Sequence, residues 1–135
     1  MKLAITADTH LKKRNETPER WNALENILEK LFEKGIKNLI ISGDLFDKET
    51  HNYSEFDKLC KKKKFENINL HIIPGNHDKG LKKVNFTADN IEIYENPTIK
   101  SFSFCVKMEK PSVFKLSNGT SGFCNRLVFP RQISF

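Results

Sequence analysis

Short apolar runs alternate with helical periods through the first hundred residues, and this alternation constrains the fold more than any other feature. The apolar runs at 2–7, 38–42 and 68–73 are typical of buried strands. Between them lie two segments whose apolar residues recur at helical spacing. Strands that alternate with helices form a largely parallel sheet through right-handed crossovers. The sequence therefore predicts an α/β fold, with a fourth strand at 91–94.

The first helix has marked ends. Thr17 is a suitable capping residue, Pro18 suits the first turn, and Glu19 places an acid near the positive end of the helix. Gly35 is expected to end it. The apolar residues between these ends fall on one face, which should be buried: Trp21, Leu24, Leu28 and Leu31.

Length and composition limit the class of protein. The chain has 135 residues, enough for one modest domain. No apolar run approaches the ~18 residues of a transmembrane helix, and Asp8 follows the start too closely for a signal peptide. Three widely spaced cysteines match neither a disulfide framework nor a CxxC zinc pattern. We therefore expect a cytoplasmic protein with reduced thiols and no membrane partner.

The charge of the chain points only weakly to nucleic acid. The net charge is +6, but residues 101–135 hold five Lys or Arg and one acid, which gives +4 and leaves +2 for residues 1–100. The one dense basic cluster is Lys61–Lys64. It is either a solvated helix end, where cations suit the helix dipole, or a contact with phosphate groups.

Polar residues follow three of the predicted strands at the point where each strand ends. Ligands bind beyond the carboxyl ends of parallel strands, so a site is expected there. Any one of these segments could be an ordinary turn, but the three together favour a site. They are Ala7-Asp8-Thr9-His10, Gly43-Asp44-Leu45-Phe46-Asp47 and Pro74-Gly75-Asn76-His77-Asp78.

These side chains have the chemistry of a metal centre. Asp8 and His10 are two residues apart, so on an extended segment they point the same way. Asp44 could bridge two ions, and Asn76 offers a neutral oxygen. A mixed oxygen and nitrogen set suits Mn²⁺, Fe or Zn²⁺ better than Ca²⁺. Two such ions, about 3.5–4 Å apart, would polarise a phosphoryl group and activate a water. His77 is placed to protonate a leaving oxygen or to stabilise the transition state.

Four further polar residues have less certain roles. Asp47 could be catalytic, or it could support the site or cap a helix. Asp78 suits structural hydrogen bonds better than a metal ion. We expect His71 to pack on a strand face, and His51, which follows the Asp44 loop, is a weaker candidate for the site.

The three polar segments resemble the signature of the calcineurin-like metallophosphoesterase superfamily, D-x-H, G-D-x-x-D and G-N-H-[DE]. All three motifs match, within residues 1–100. The sequences ADTHL and SGDLFD are most similar to the DNA-repair exonucleases, the nuclease subunits that process double-strand breaks. The resemblance implies hydrolysis of phosphodiesters in DNA and, by analogy, an ATPase partner subunit.

The resemblance also implies an architecture and a ligand set. The fold would be a four-layer α/β/β/α sandwich around a centre of two divalent ions, typically Mn²⁺. By motif position, Asp8, His10 and Asp44 would hold the first ion. Asp44, as the bridge, and Asn76 would hold the second, and His77 would act at the leaving group.

The chain departs from the family pattern in its second half. The exonuclease branch often has a histidine at the position of Asp47, and the family's second sheet supplies a lone His and a G-H-x-H motif, yet no histidine follows His77 here. Six of the eleven Phe fall in residues 101–135. We therefore predict a phosphoesterase N-terminal half at 1–100, with an incomplete second sheet, and an atypical tail at 101–135. The tail is either frameshifted or misjoined, or a divergent β-rich segment that packs on the sheet edge.

Three functions are compatible with these features. The first is metal-dependent hydrolysis of DNA, the second a truncated or degenerate domain that binds metal but turns over little, and the third hydrolysis of a small phosphodiester or phosphomonoester. Four ligands shared between two cations leave each ion under-coordinated. We therefore predict little or no hydrolysis by the isolated chain, even with excess Mn²⁺.

Overall fold

Strands and helices alternate along the chain in the order that the sequence predicts. A computed structural model describes residues 2–47, 53–96, 98–104 and 123–129, with the backbone alone for 103–104 and 123–129. The elements are β1 (Ala4–Ala7), α1 (Pro18–Glu33), β2 (Asn38–Ser42), α2 (Tyr53–Cys60), β3 (Asn69–Ile73), a short 3-10 helix (Lys83–Asn85), β4 (Ile91–Ile93), β5 (Thr98–Phe104) and β6 (Phe123–Phe129).

The first four strands form one sheet in the order β1-β2-β3-β4, and every neighbouring pair is parallel. This confirms the predicted α/β fold with a mostly parallel sheet. The register places Ala7 beside Ser42 and Ser42 beside Ile73. The first three strands therefore end level, and the polar segments that follow them begin at one edge of the sheet.

The ends of α1 follow the sequence signals, with one difference. Thr17 occupies the capping position before Pro18, but its side chain makes no capping hydrogen bond. Its hydroxyl instead accepts a long bond of 3.4 Å from the Lys12 amide. Gly35 follows the last turn with a φ of 63°, the left-handed conformation that commonly ends a helix. The predicted apolar face is buried: Trp21, Leu24, Leu28 and Leu31.

The core lies between the sheet and its helices. Alternate residues of the two central strands, Leu39 and Ile41 in β2 and Leu70 and Ile72 in β3, are buried in one cluster with the apolar face of α1. The period of two places the intervening residues on the opposite face of the sheet. That face is closed over β2, where Ile40 is buried, and open at β1, where Ile5 is 65% exposed.

The second sheet packs on this opposite face. It consists, within the described ranges, of the antiparallel pair β5 and β6. The Phe102 ring of β5 meets His71 of β3 edge-on, with centroids 5.2 Å apart, and Lys100 pairs with Glu92 at 2.9 Å. His71 is buried, with Nε2 3.1 Å from Asn38 Oδ1, which confirms its predicted place on a strand face.

Several sequence predictions concern residues outside the described ranges. The weaker site candidate His51, as well as Cys105 and most of the tail at 101–135, lie there, and the origin of the tail stays a prediction. Cys60 is a buried free thiol, as expected, and burial is the main cause that raises its pKa. None of the helices in the described part of the chain has the length and apolar character needed to cross a bilayer.

The basic cluster Lys61–Lys64 is largely neutralised by acids of the two helices. Lys61 pairs with Asp57 at 2.8 Å, Lys62 pairs with Glu25, and Lys64 pairs with Glu29 at 2.6 Å, the last two bridging to α1. All four lysines are exposed. These ion pairs favour the interpretation as a solvated helix end over that of a phosphate contact.

Candidate metal centre

Three loops meet at the carboxyl edge of the sheet, and their backbones are joined directly. The Asp8 amide donates to the Gly43 carbonyl at 3.2 Å, and the His10 amide donates to the Asp44 carbonyl at 2.9 Å. The Gly43 amide donates to the Ile73 carbonyl at 2.8 Å. The parallel ladder thus continues past the strand ends, which brings the three polar segments into one place.

The backbone at this edge is strained. Asp8, His10 and Asp44 have φ values of 51°, 44° and 40°, the left-handed region that costs a non-glycine residue about 1–3 kcal/mol. Aspartate and histidine tolerate this region better than most residues. The premise that Asp8 and His10 lie on an extended segment is therefore wrong, because β1 ends at Ala7 and the chain turns at once. Strain of this kind clusters at functional sites.

The turn gathers three potential metal ligands. His10, Asp44 and His77 each offer one ligand atom, and these atoms all lie within 4.8 Å of one another. The two imidazole rings meet edge-on, with centroids 5.2 Å apart and planes at 71°. Asp44 is buried, with 8% of its surface exposed, while both histidines are half-buried. The cluster therefore opens toward solvent on its histidine side.

The donor set fits a divalent transition-metal ion. Two ligand atoms at about 2.1 Å from one ion are at most about 4.2 Å apart. The observed spread of up to 4.8 Å exceeds this limit by about 0.6 Å at most, which a small side-chain rotation supplies. Two imidazoles and a carboxylate suit Mn²⁺, Fe or Zn²⁺.

The other predicted site residues lie around this cluster and are not members of it. Asp8 and Asn76 are exposed; Asp8 is itself strained and lies two positions before His10, and Asn76 directly precedes His77. Asp47 is half-buried, its carboxylate 3.9 Å from the Lys12 ammonium, and its amide donates to the Leu11 carbonyl. The metal roles of Asp8 and Asn76, and a catalytic role of Asp47, stay predictions.

Asp78 has the structural role that the sequence suggests. It is 1% exposed, and its carboxylate accepts hydrogen bonds from the Leu45 amide at 2.7 Å and the Phe46 amide at 2.9 Å. Burial, and then the negative charge of Asp78, raise the pKa of Tyr53. The carboxylate thus lies beneath the loop that carries Asp44 and faces away from solvent.

Two supporting contacts could not be found from motifs. The Thr9 hydroxyl donates to the Leu45 carbonyl at 2.9 Å, and the Arg20 guanidinium donates to the His10 carbonyl at 2.6 Å. Both hold the strained turn after β1 against its neighbours. Thr9 lies between two candidate ligands, and this position is the only sequence feature that points to it. Nothing in the sequence indicated Arg20, which lies in the first turn of α1.

Comparison with known proteins agrees with this geometry. The model of the calcineurin-like phosphoesterase family matches residues 1–133. No curated protein shows significant similarity to the chain. The match spans all three loops and nearly the whole sequence, so the chain belongs to the calcineurin-like phosphoesterase family.

Proposed function

We propose that this protein hydrolyses phosphodiester bonds in DNA with divalent metal ions, most suitably Mn²⁺. The observation that carries the proposal is the convergence of His10, Asp44 and His77 at the carboxyl edge of a parallel sheet in a calcineurin-like phosphoesterase. Divalent ions bound here would polarise the phosphoryl group and activate water. Asp8, His10, Asp44 and Asn76 would hold them.

His77 has the chemistry for the remaining step, protonation of the leaving oxygen. Its amide donates to Asp44 Oδ1 at 2.9 Å, so its backbone is tied to a ligand that the ions would share. The residue is half-buried and its ring meets that of His10 edge-on, so a substrate bound to ions at this cluster would lie beside it. An imidazole can donate a proton to a leaving oxygen, which is the chemistry of a general acid.

DNA is the proposed substrate because ADTHL and SGDLFD resemble the exonuclease branch. An ATPase partner subunit completes this proposal by the same analogy, and the cytoplasmic location expected from the sequence is kept as part of it. The ion-paired Lys61–Lys64 cluster does not contribute to it. A steep fall in the affinity for DNA ends with rising salt would support DNA as the substrate, since released counterions drive such binding. Selective hydrolysis of a small nucleotide would instead support the third function.

A non-catalytic metal-binding domain is the second candidate, and one observation favours it. The described residues bring only three histidine or carboxylate ligands within reach of one ion, so a second ion would be held by few groups. Weak metal binding with little turnover is the expected behaviour of such a site.

The test is Mn²⁺ binding by calorimetry, followed by hydrolysis of bis-p-nitrophenyl phosphate. The variants are Asp44→Asn, His77→Ala and, as a control from the same loop, the exposed Lys79→Ala. The proposal predicts Mn²⁺ binding that Asp44→Asn abolishes and turnover, however low, that His77→Ala removes and Lys79→Ala retains. Binding without turnover would favour the second candidate. A chain that binds no Mn²⁺ would contradict both.

A further inference from the structure

The loops that carry Asp44 and His77 exchange hydrogen bonds in both directions. In one direction, Asp78 accepts from the amides of Leu45 and Phe46, at 2.7 and 2.9 Å. In the other, Asp44 Oδ1 accepts from the His77 amide at 2.9 Å. Each loop thus contributes one carboxylate to backbone amides of the other.

The exchange leaves no space between the two loops. A Cβ on Gly75 would lie 2.0 Å from Asp44 Oδ1 and 2.4 Å from the Asp44 amide nitrogen. Asp78 Oδ2 also lies 3.4 Å from the Gly75 amide, within its own turn. The hydrogen bonds and the close packing at Gly75 therefore involve the same short segment, which lies next to the cluster of potential ligands.

The hydrogen bonds that Asp78 accepts lie next to the strained residue Asp44. Asp44 has a φ of 40°, and the two amides that Asp78 accepts belong to the next two residues of the chain. A carboxylate that accepts two buried amides makes strong, charge-assisted bonds. Without them, the segment after Asp44 could relax toward ordinary backbone angles, and Asp44 Oδ1 would leave the His77 amide.

We propose that Asp78 is a positioning residue of the metal centre: through Leu45 and Phe46 it sets the carboxylate of Asp44 and, by way of Asp44, the backbone of His77. This inference rests on the proposed function for its meaning in catalysis. The structural part of the inference can be measured without any metal. It states that Asp78 keeps the hydrogen bond from the His77 amide to Asp44 in place, although Asp78 is not a partner in that bond.

The chain offers a matched control at Asp57. Its carboxylate also accepts two consecutive loop amides, those of Thr87 and Ala88, both at 2.8 Å, but on α2 and away from the cluster. Asp57→Asn therefore makes the same substitution at a second carboxylate that binds loop amides, and there it also alters the contacts with the Thr87 hydroxyl and the Lys61 ammonium. At Asp78 the two amides bind different carboxylate oxygens, so asparagine keeps the shape of aspartate but turns one acceptor into a donor that opposes an amide. At Asp57 both amides bind Oδ1, so asparagine can keep them, which makes this variant a control for the charge and the substitution alone.

The experiment is amide hydrogen exchange by NMR on the metal-free chain, followed by Mn²⁺ calorimetry. Exchange is corrected for global stability with the amides of β2. In Asp78→Asn we expect the His77 amide to exchange about 10-fold or more faster than in Asp57→Asn and the Mn²⁺ affinity to fall about 10–100-fold, the usual effect of losing a partner that orients a ligand. Asp78→Glu, which keeps both acceptors, should restore much of the protection.

Equal His77 exchange in the two asparagine variants would overturn the inference, as would wild-type Mn²⁺ affinity in Asp78→Asn. Failure of the wild-type chain to bind Mn²⁺ would overturn the proposed function alone, because the exchange result still decides the role of Asp78. If Asp78→Asn does not fold, amide hydrogen exchange in the wild-type chain tests the positioning role of Asp78 instead. The amides of Leu45, Phe46 and His77 must then open together, and independent opening of His77 would contradict the coupling.

Discussion

Replacing Gly75 by alanine tests whether the contact between two loops sets the metal centre. The added Cβ would lie 2.0 Å from Asp44 Oδ1 and 2.4 Å from the Asp44 nitrogen, whereas ordinary contacts begin at 3.4 Å. The carboxylate oxygen must therefore retreat by 1.4 Å and the backbone by 1.0 Å, the differences between these distances. Rotation of the Asp44 side chain relieves the first contact but not the second, so the loop itself must move.

The displacement is large on the scale that metal binding and catalysis tolerate. A misplacement of about 1 Å in a reacting group can cost about 100-fold in rate. We expect Gly75→Ala to weaken Mn²⁺ binding by about 10–100-fold, since its effect on Asp44 is comparable to the loss of an orienting partner. The free energy of unfolding should fall by about 1–3 kcal/mol, the usual cost of overpacking.

Calorimetric titration with Mn²⁺ and urea unfolding measure the two effects separately. Gly35→Ala is the control: a Cβ there meets nothing within 4 Å, but the φ of 63° makes alanine unfavourable. It should cost about 1–2 kcal/mol of stability and leave the Mn²⁺ affinity unchanged. Wild-type affinity in Gly75→Ala would refute the reasoning, and so would an equal loss of affinity in both variants.

Three further predictions concern stability. Burial is the main cause that lowers the pKa of His71, against the opposing charge of Glu92. The neutral His71 side chain therefore contributes fully to stability above about pH 6.5, and this contribution declines at lower pH. In His71→Gln, the urea midpoint should vary less with pH in this range. Although burial raises it, hydrogen bonds lower the pKa of Asp57 to about 2. Its contribution, on the order of 1–2 kcal/mol, is present above about pH 4 and lost toward pH 2, a loss that Asp57→Asn should not show in acid titration. Trp21→Phe removes the bond from Nε1 to the Lys12 carbonyl and should lower the free energy of unfolding by about 1–2 kcal/mol, with unchanged unfolding in urea contradicting that bond.

The fold could be predicted from the sequence because its signals are local and repeated. The run NLIIS at 38–42 coincides with β2, and its neighbours in the sheet follow from the rule that consecutive parallel strands lie side by side. The level ends of β1, β2 and β3 then follow from strands of similar length. A site at their carboxyl edge needed no further information.

The interior geometry of the site could not be predicted in the same way. The sequence suggested that Asp8 and His10 share a direction, but both adopt positive φ, a conformation that residue spacing does not encode. What fixes them is long-range: the amides of Asp8 and His10 donate to carbonyls of the loop after β2. Contacts of this kind exist only once the sheet has formed.

Gly75 and Asp78, which flank Asn76-His77, also have roles that depend on contacts formed only in the fold. Read along the chain, Gly75 and Asp78 belong to the third motif, but nothing in the sequence shows which loop they contact. In the fold, both act on the neighbouring loop: Gly75 leaves space for Asp44, and Asp78 accepts the two amides that follow it. A motif that appears as three separate segments in sequence is therefore one contact surface in space. Substitutions that affect metal binding should accordingly include residues that could never touch a metal ion.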